Sequence, residues 1–121
     1  MLQIKRAHEG ETVDRSGAAI FEGTVHGHAL ADASNSEHLA ASLVHFAAGA
    51  RTRPHRHTGD QLLFVTSGIG EVGDDDGAHV LGAGDAVVIP AGHVHWHGAG
   101  DTGSPMTHLT VQAAGSETTV L

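Results

Sequence analysis

The segment Pro54-His55-Arg56-His57-Thr58-Gly59-Asp60-Gln61 carries three residues able to donate to a metal ion, all between His55 and Gln61. On a strand, side chains alternate between the two faces. His55 and His57 then share a face, and Gln61, again at an odd position, returns to it. Two imidazoles and an amide oxygen supply three corners of a site, and transition-metal sites take four or more donors from protein or water. A second histidine cluster, His93-Val94-His95-Trp96-His97, is the source of a further donor. Two separated strands must lie side by side to share one site, so the pattern asks for a barrel or sandwich rather than a helical protein.

The elements that must position these residues read as short strands separated by turns. Residues 1–20 form a loose N-terminal arm in which Leu2 and Ile4 alternate with polar neighbours before Gly10 and Gly17 interrupt. Phe21 to Leu30 includes His26-Gly27-His28, a second H-x-H; glycine between the histidines weakens a strand and no third donor follows, so this pair is read as a surface feature. Leu39 to Ala48 is a strand with Ser42, Val44 and Phe46 on one face and Leu43 and His45 on the other. Gln61 to Ser67 continues as an apolar run whose pattern predicts burial on both faces. Gly68-Ile69-Gly70-Glu71-Val72-Gly73 spells a dinucleotide fingerprint, but Asp74-Asp75-Asp76-Gly77 follows where a helix should open. A strand and hairpin are predicted there instead. Ala86 to Ile89 and His93 to His97 supply further strands, and Met106 to Gln112 alternates with Met106, His108, Thr110 and Gln112 on one face. Residues 113–121 read as a soft tail. No segment has helical periodicity, and 17 glycines stand at turn spacing, so the fold class is all-β.

Composition narrows the function classes. A chain of 121 residues suits a single domain. No cysteine is present, which removes disulfides, thiolate metal sites and cysteine nucleophiles and leaves the 12 histidines as the borderline-soft ligands. A net charge of −8 with six basic residues argues against nucleic acid as a partner. No apolar run approaches the roughly 18 residues of a membrane span, and Met1-Leu2-Gln3-Ile4-Lys5-Arg6 lacks the core of a signal peptide. No membrane partner is expected, and a cytoplasmic location is the default expectation.

Two spaced patterns carry a family resemblance. Gly49, His55, His57, Gln61 and Gly68 resemble the first cupin motif, and Gly84, Pro90, Gly92 and His95 resemble the second. The resemblance implies a single-domain cupin jelly-roll β-barrel over residues 1–121, with a core at 39–112 that carries both motifs. It further implies one divalent metal per chain held by His55, His57, Gln61 and His95, and a homodimer. Two positions depart from the family pattern: Gln61 stands where a glutamate is usual, and Ala99 where an asparagine is usual. Within the cupins the chain is similar to the small bacterial hydroxynitrile-lyase-type group through Phe21-Glu22-Gly23-Thr24-Val25, Gly49-Ala50-Arg51-Thr52, His95-Trp96-His97-Gly98-Ala99 and Met106-Thr107-His108-Leu109 with Gln112. That likeness implies manganese as the metal, with iron, nickel, zinc and copper as the other ions such donors accept. By position it implies a pocket lined by His97, His108, Gln112, Ser42 and Val44, with Phe46 on the same strand face.

The chemistry of such a site follows from its donors. Three neutral imidazoles and an amide leave a divalent ion at its full +2, a stronger Lewis acid than a glutamate-bearing site. Gln61 cannot act as a base, so proton transfer falls to His97 or His108. The leading expectation is a metal-dependent lyase for a small hydroxynitrile or carbonyl substrate. The alternatives are a dioxygenase of an enol- or catechol-like molecule and a non-catalytic small-molecule-binding cupin. A homodimer is also expected from the residues, because Leu62, Phe64 and Leu43 suggest an apolar outward face that needs cover.

Overall fold

The computed structural model describes residues 1–121. Its strands, in chain order, are β1 (Val13–Asp14), β2 (Phe21–Glu22), β3 (Val25–Ala31), β4 (Leu39–Phe46), β5 (Arg51–Thr52), β6 (His55–His57), β7 (Gln61–Asp74), β8 (Gly77–Gly82), β9 (Ala86–Ile89), β10 (Trp96–Gly98), β11 (Met106–Ala113) and β12 (Thr118–Val120). A single 3-10 turn, Gly100–Thr102, interrupts them, and there is no α-helix. No helix is therefore long and apolar enough to cross a membrane.

The main sheet runs β1-β3-β4-β11-β7-β10-β5-β2, with β8 and β9 also paired to β7, and every pairing is antiparallel. β7 makes this possible by serving both halves of the barrel. Its first part pairs with β11 and β9, and its second with β8 and β10. The strand turns its corner at Gly68, whose φ of +77° disfavours any side chain and whose missing Cβ leaves room for the Pro105 carbonyl. The G-x-G-x-x-G stretch is thus the second half of β7, and Asp74 to Gly77 turns the hairpin into β8. The all-β jelly-roll expected from the strand pattern is the fold observed.

Alternation then decides what faces inward. Across the inner face one row runs Val25, Phe46, Met106, and the next runs Gly27, Val44, His108, Val65. Val25, Phe46, Ala50, Val65, Ala99 and Met106 form one buried cluster, and Leu63, Val72 and Ile89 a second. Each large member removed from water contributes about 1.5–3 kcal/mol. Eight polar residues are buried among them: Thr52, His55, His57, Gln61, His95, His97, His108 and Thr110.

Three expectations are corrected. The apolar run of β7 predicts burial on both faces, but Leu62 and Phe64 are 37% and 38% exposed, because only the inner face of β7 is covered within one chain. The stretch His93–His97 does not form one strand. β10 begins at Trp96, His95 makes an isolated antiparallel bridge to His55, and His93 turns outward to Asp74. The soft tail contains a strand, since β12 pairs with β6 in the register Thr118↔His57 and Val120↔His55.

Candidate metal centre and its pocket

β6 presents His55 and His57 inward with Arg56 exposed between them, which is the alternation expected of H-x-H on a strand. Gln61 opens β7 on the same inner face, four residues on. The bridge between His55 and His95, with N–H to carbonyl bonds of 2.9 Å in both directions, brings the second histidine cluster against the first. Ring centroids then lie 4.3 Å apart for His55 and His95, 4.9 Å for His55 and His57, and 5.5 Å for His57 and His95. Gln61 Oε1 sits 3.3 Å from His95 Nε2. His55, His57, Gln61 and His95 are therefore neighbours, while the three histidines whose ring nitrogens all lie within 4.8 Å of one another are His55, His95 and His97.

Their tautomers are held from behind. His55 Nδ1–H donates to the Arg53 carbonyl at 2.8 Å, and His95 Nδ1–H donates to the His93 carbonyl at 2.9 Å. Each such bond leaves Nε2 as a bare lone pair. His57 Nδ1 shares a 2.7 Å hydrogen bond with Thr118 Oγ1 of β12, and when the hydroxyl accepts, the third Nε2 is bared in the same way. The Gln61 amide is oriented too: its Nε2 reaches Gln112 Oε1 at 3.5 Å, which turns Oε1 toward the histidines. Nε2 of His55 and of His57 is buried with no protein partner. Nitrogen lone pairs and an amide oxygen converging in this way fit a divalent transition metal, which would satisfy all of them at once.

Burial keeps the donors neutral. His55 is pushed down from 6.5 to about 4, chiefly by desolvation and then by the neighbouring His95 and His57. Desolvation also lowers His57 and His95. Neutral imidazole is the form that ligates.

His97 and His108 stand beside this group. His97 is stacked on His95 with centroids 5.6 Å apart, and one ring nitrogen from each of His55, His95 and His97 lies within 4.8 Å of the others. His97 Nε2 is a third buried nitrogen without a partner. Its Nδ1 lies 2.9 Å from His108 Nε2, and His108 Nδ1 lies 3.1 Å from Thr110 Oγ1. A continuous chain of hydrogen bonds thus runs from the histidine cluster through His97 and His108 to Thr110. Desolvation holds His97 well below its ordinary value and His108 at about 4.

The remaining pocket residues divide into two groups. Phe46 is buried in the core, 6.0 Å from the Phe21 ring and 5.3 Å from His108. Ser42 and Val44 line an open cavity of about 360 Å³ together with Arg15, Ile20, Phe21 and His28, and none of His97, His108, Gln112 and Phe46, expected in the same pocket, lines it. Gln112 backs Gln61 as described. Thr118, Thr110 and the Arg53 carbonyl were beyond the reach of spacing arguments. Thr118 lies 61 residues from its histidine. Only the inward parity of Thr110 with His108 hinted at its place.

The family model described as a cupin domain matches residues 42–112, which include every metal-ligand candidate. The chain belongs to the cupin family. This cupin is 39% identical over 113 residues to a protein from Granulicella tundricola named (R)-mandelonitrile lyase, covering 92% of this chain and 84% of the relative. A cupin-like protein of Thermotoga maritima superposes with a TM-score of 0.81 at 30% identity, covering 97% of this cupin and 89% of that chain. The polyketide cyclase RemF of Streptomyces resistomycificus shares the fold at 18% identity with a TM-score of 0.83, covering 98% and 86%.

Proposed function

We propose that this cupin is a divalent-metal-dependent lyase that cleaves or forms a small hydroxynitrile, with manganese bound by His55, His57, Gln61 and His95. The observation that carries the reading is His97 Nε2, a buried nitrogen without a protein partner beside the tautomer-locked imidazoles of His55 and His95 and wired through His108 to Thr110. The 39% identical relative named (R)-mandelonitrile lyase supports the substrate class.

A bound divalent ion supplies Lewis acidity to the substrate's hydroxyl or carbonyl oxygen, undiminished by any carboxylate ligand. The protein does the rest. With Nδ1–H of His97 donated to His108 Nε2, the Nε2 lone pair of His97 takes the hydroxyl proton. As the oxygen closes to a carbonyl, the carbon–cyano bond breaks and its electron pair leaves with cyanide. Protonated His97 returns the proton to cyanide, giving hydrogen cyanide and an aldehyde or ketone. His108 steadies the imidazolium by accepting the hydrogen bond from its Nδ1–H, with the Thr110 hydroxyl accepting from the far nitrogen of His108. Burial weakens His97 as a base, and a weak base is suited to a hydroxyl already made acidic.

The test is anaerobic cleavage of mandelonitrile by protein of known metal content, followed by benzaldehyde release. Turnover that needs oxygen, with oxygen consumed in proportion, would replace this reading with the dioxygenase one. Absence of both, with aldehyde still bound, would leave a binding protein.

We propose further that the protein works as a homodimer through the open outer face of β9, β7, β11 and β4, where Val88, Leu62, Val111 and Leu109 neighbour Phe64 and Leu43. A monomer by light scattering at micromolar concentration would count against it.

A further inference from the structure

The other H-x-H of the chain, His26-Gly27-His28, plays no part in the site described above, yet strand pairing gives it a third histidine. β3 turns the buried Val25 inward, so by alternation His26 and His28 share its outer face. In the β3–β4 ladder His26 stands directly opposite His45, and β1 extends the row by placing Asp14 opposite His26. Side chains opposite one another on an antiparallel pair have Cβ atoms about 4.5–5.5 Å apart, close enough for two imidazoles to hold one ion between them.

His45 is prepared as a donor. Its Nδ1 lies 2.9 Å from Thr107 Oγ1, and Thr107 is its direct neighbour on β11. When that hydroxyl accepts, Nε2 is left as a lone pair. The two ring nitrogens point in nearly opposite directions, so Nε2 is directed away from β11, to the side on which β3 lies. This repeats, on the outside of the barrel, the bond between His57 and Thr118. Burial, and then the neighbouring His28 and His26, lower the pKa of His45 and favour the neutral form that ligates. The side chain of His26 makes no hydrogen bond or ion pair within the chain, whereas His93 is tied to Asp74.

The surroundings choose which end of the patch suits a cation. Lys5 and Arg6 border it beside His28, with Lys5 Nζ donating to the Ala29 carbonyl at 2.7 Å. Asp14 stands at the other end, beside His26, and its Oδ1 accepts from Ser16 N–H at 2.9 Å while Oδ2 stays open. A net charge of −8 further favours a cation on this surface.

We propose that the outer face of β3 and β4 holds a second divalent ion, bound by His26 and His45, with the Asp14 carboxylate beside it and water completing the sphere. Imidazole with carboxylate suits zinc. Only the buried cluster has three ring nitrogens gathered within 4.8 Å. On the outer face register sets the spacing and side-chain rotation must close it, so this ion binds more weakly than the inner one. The site shares no residue with the lyase chemistry and stands or falls apart from it.

Zinc bound per chain, counted by equilibrium dialysis and elemental analysis, tests this without any assay of turnover. The native protein should take up two zinc ions and His26→Gln/His45→Gln only one, at an unchanged melting temperature. In His55→Ala/His57→Ala, zinc should still bind and raise the melting temperature, because an ion held only by the folded chain stabilises it by mass action. Adding His26→Gln/His45→Gln to that variant should abolish the rise. Uptake of one zinc by the native protein, a second zinc that persists in His26→Gln/His45→Gln, or a melting rise that survives in the combined variant overturns the site. Should the double substitution unfold the protein, His26→Gln and His45→Gln singly must each weaken the second zinc by about tenfold or more. Unchanged affinity in either one defeats the proposal.

Discussion

His97 Nδ1 and His108 Nε2 are 2.9 Å apart, and only one hydrogen can occupy the line between them. Whichever ring holds it decides whether His97 presents a lone pair or an N–H to the cluster. The two residues are therefore coupled, and in the proposed lyase His97 is the group that would touch the substrate, with His108 acting through it. Replacing His97 with alanine should leave metal content intact and lower kcat by about 10²–10⁴-fold, the scale of a lost general base. His108→Ala should show a smaller loss of kcat at unchanged metal content. Near-full activity in both variants would move the base to metal-bound hydroxide.

The Thr118 hydroxyl stands 2.7 Å behind His57 Nδ1. Thr118→Val removes that partner while keeping the shape of β12. Affinity for manganese should drop by about 10- to 100-fold, as is usual when the hydrogen-bond partner of a ligand histidine is lost. Thr118→Ser should restore most of it. Chelator competition measures this without any assay of turnover, and unchanged affinity in Thr118→Val would remove β12 from the metal site.

Gln61 is the donor that separates charge from coordination. Gln61→Glu should bind manganese at least as tightly, since a carboxylate is a good ligand for divalent ions, but should lower turnover because the site falls from +2 to +1. A variant with full activity would mean that the Lewis acidity of the site is not limiting.

Acid should weaken the metal-free protein in a defined window. His55 and His108 are held at about 4 when folded and return to 6.5 when unfolded. Between those values the unfolded chain binds more protons than the folded one, so stability declines as pH falls from about 6.5 to 4 and levels off below. Above 6.5 both forms are neutral and these groups contribute no slope. Each group can account for up to roughly 3 kcal/mol at 1.36 kcal/mol per unit. Urea midpoints of chelator-treated protein across pH 4–7 check the sign, and a midpoint that rises on acidification would contradict it.

Much of the site was legible because strand parity is a local property of the chain. Alternation alone puts His55 and His57 on one face of β6, and Met106, His108, Thr110 and Gln112 on one face of β11, whereas Gln61 joins the histidines only because the chain turns at residues 58–60 and begins β7 there. The absence of helical periodicity and the spacing of turn residues likewise made the all-β class readable. The corrections arose where pattern and topology are independent. An apolar run like Gln61–Ser67 looks the same whether one face or two are covered, and only the layer count of the barrel left Leu62 and Phe64 open.

The sequence by itself determined which donors exist, which share a face, and that none of the proposed metal ligands carries charge. Tertiary structure decided which nitrogens point at one another. Thr118 meets His57 across 61 residues, His97 meets His108 across a turn, and His26 stands opposite His45 only because β3 pairs with β4. Those contacts depend on strand pairing and its register, and register is set by the summed burial of whole faces rather than by any residue within them.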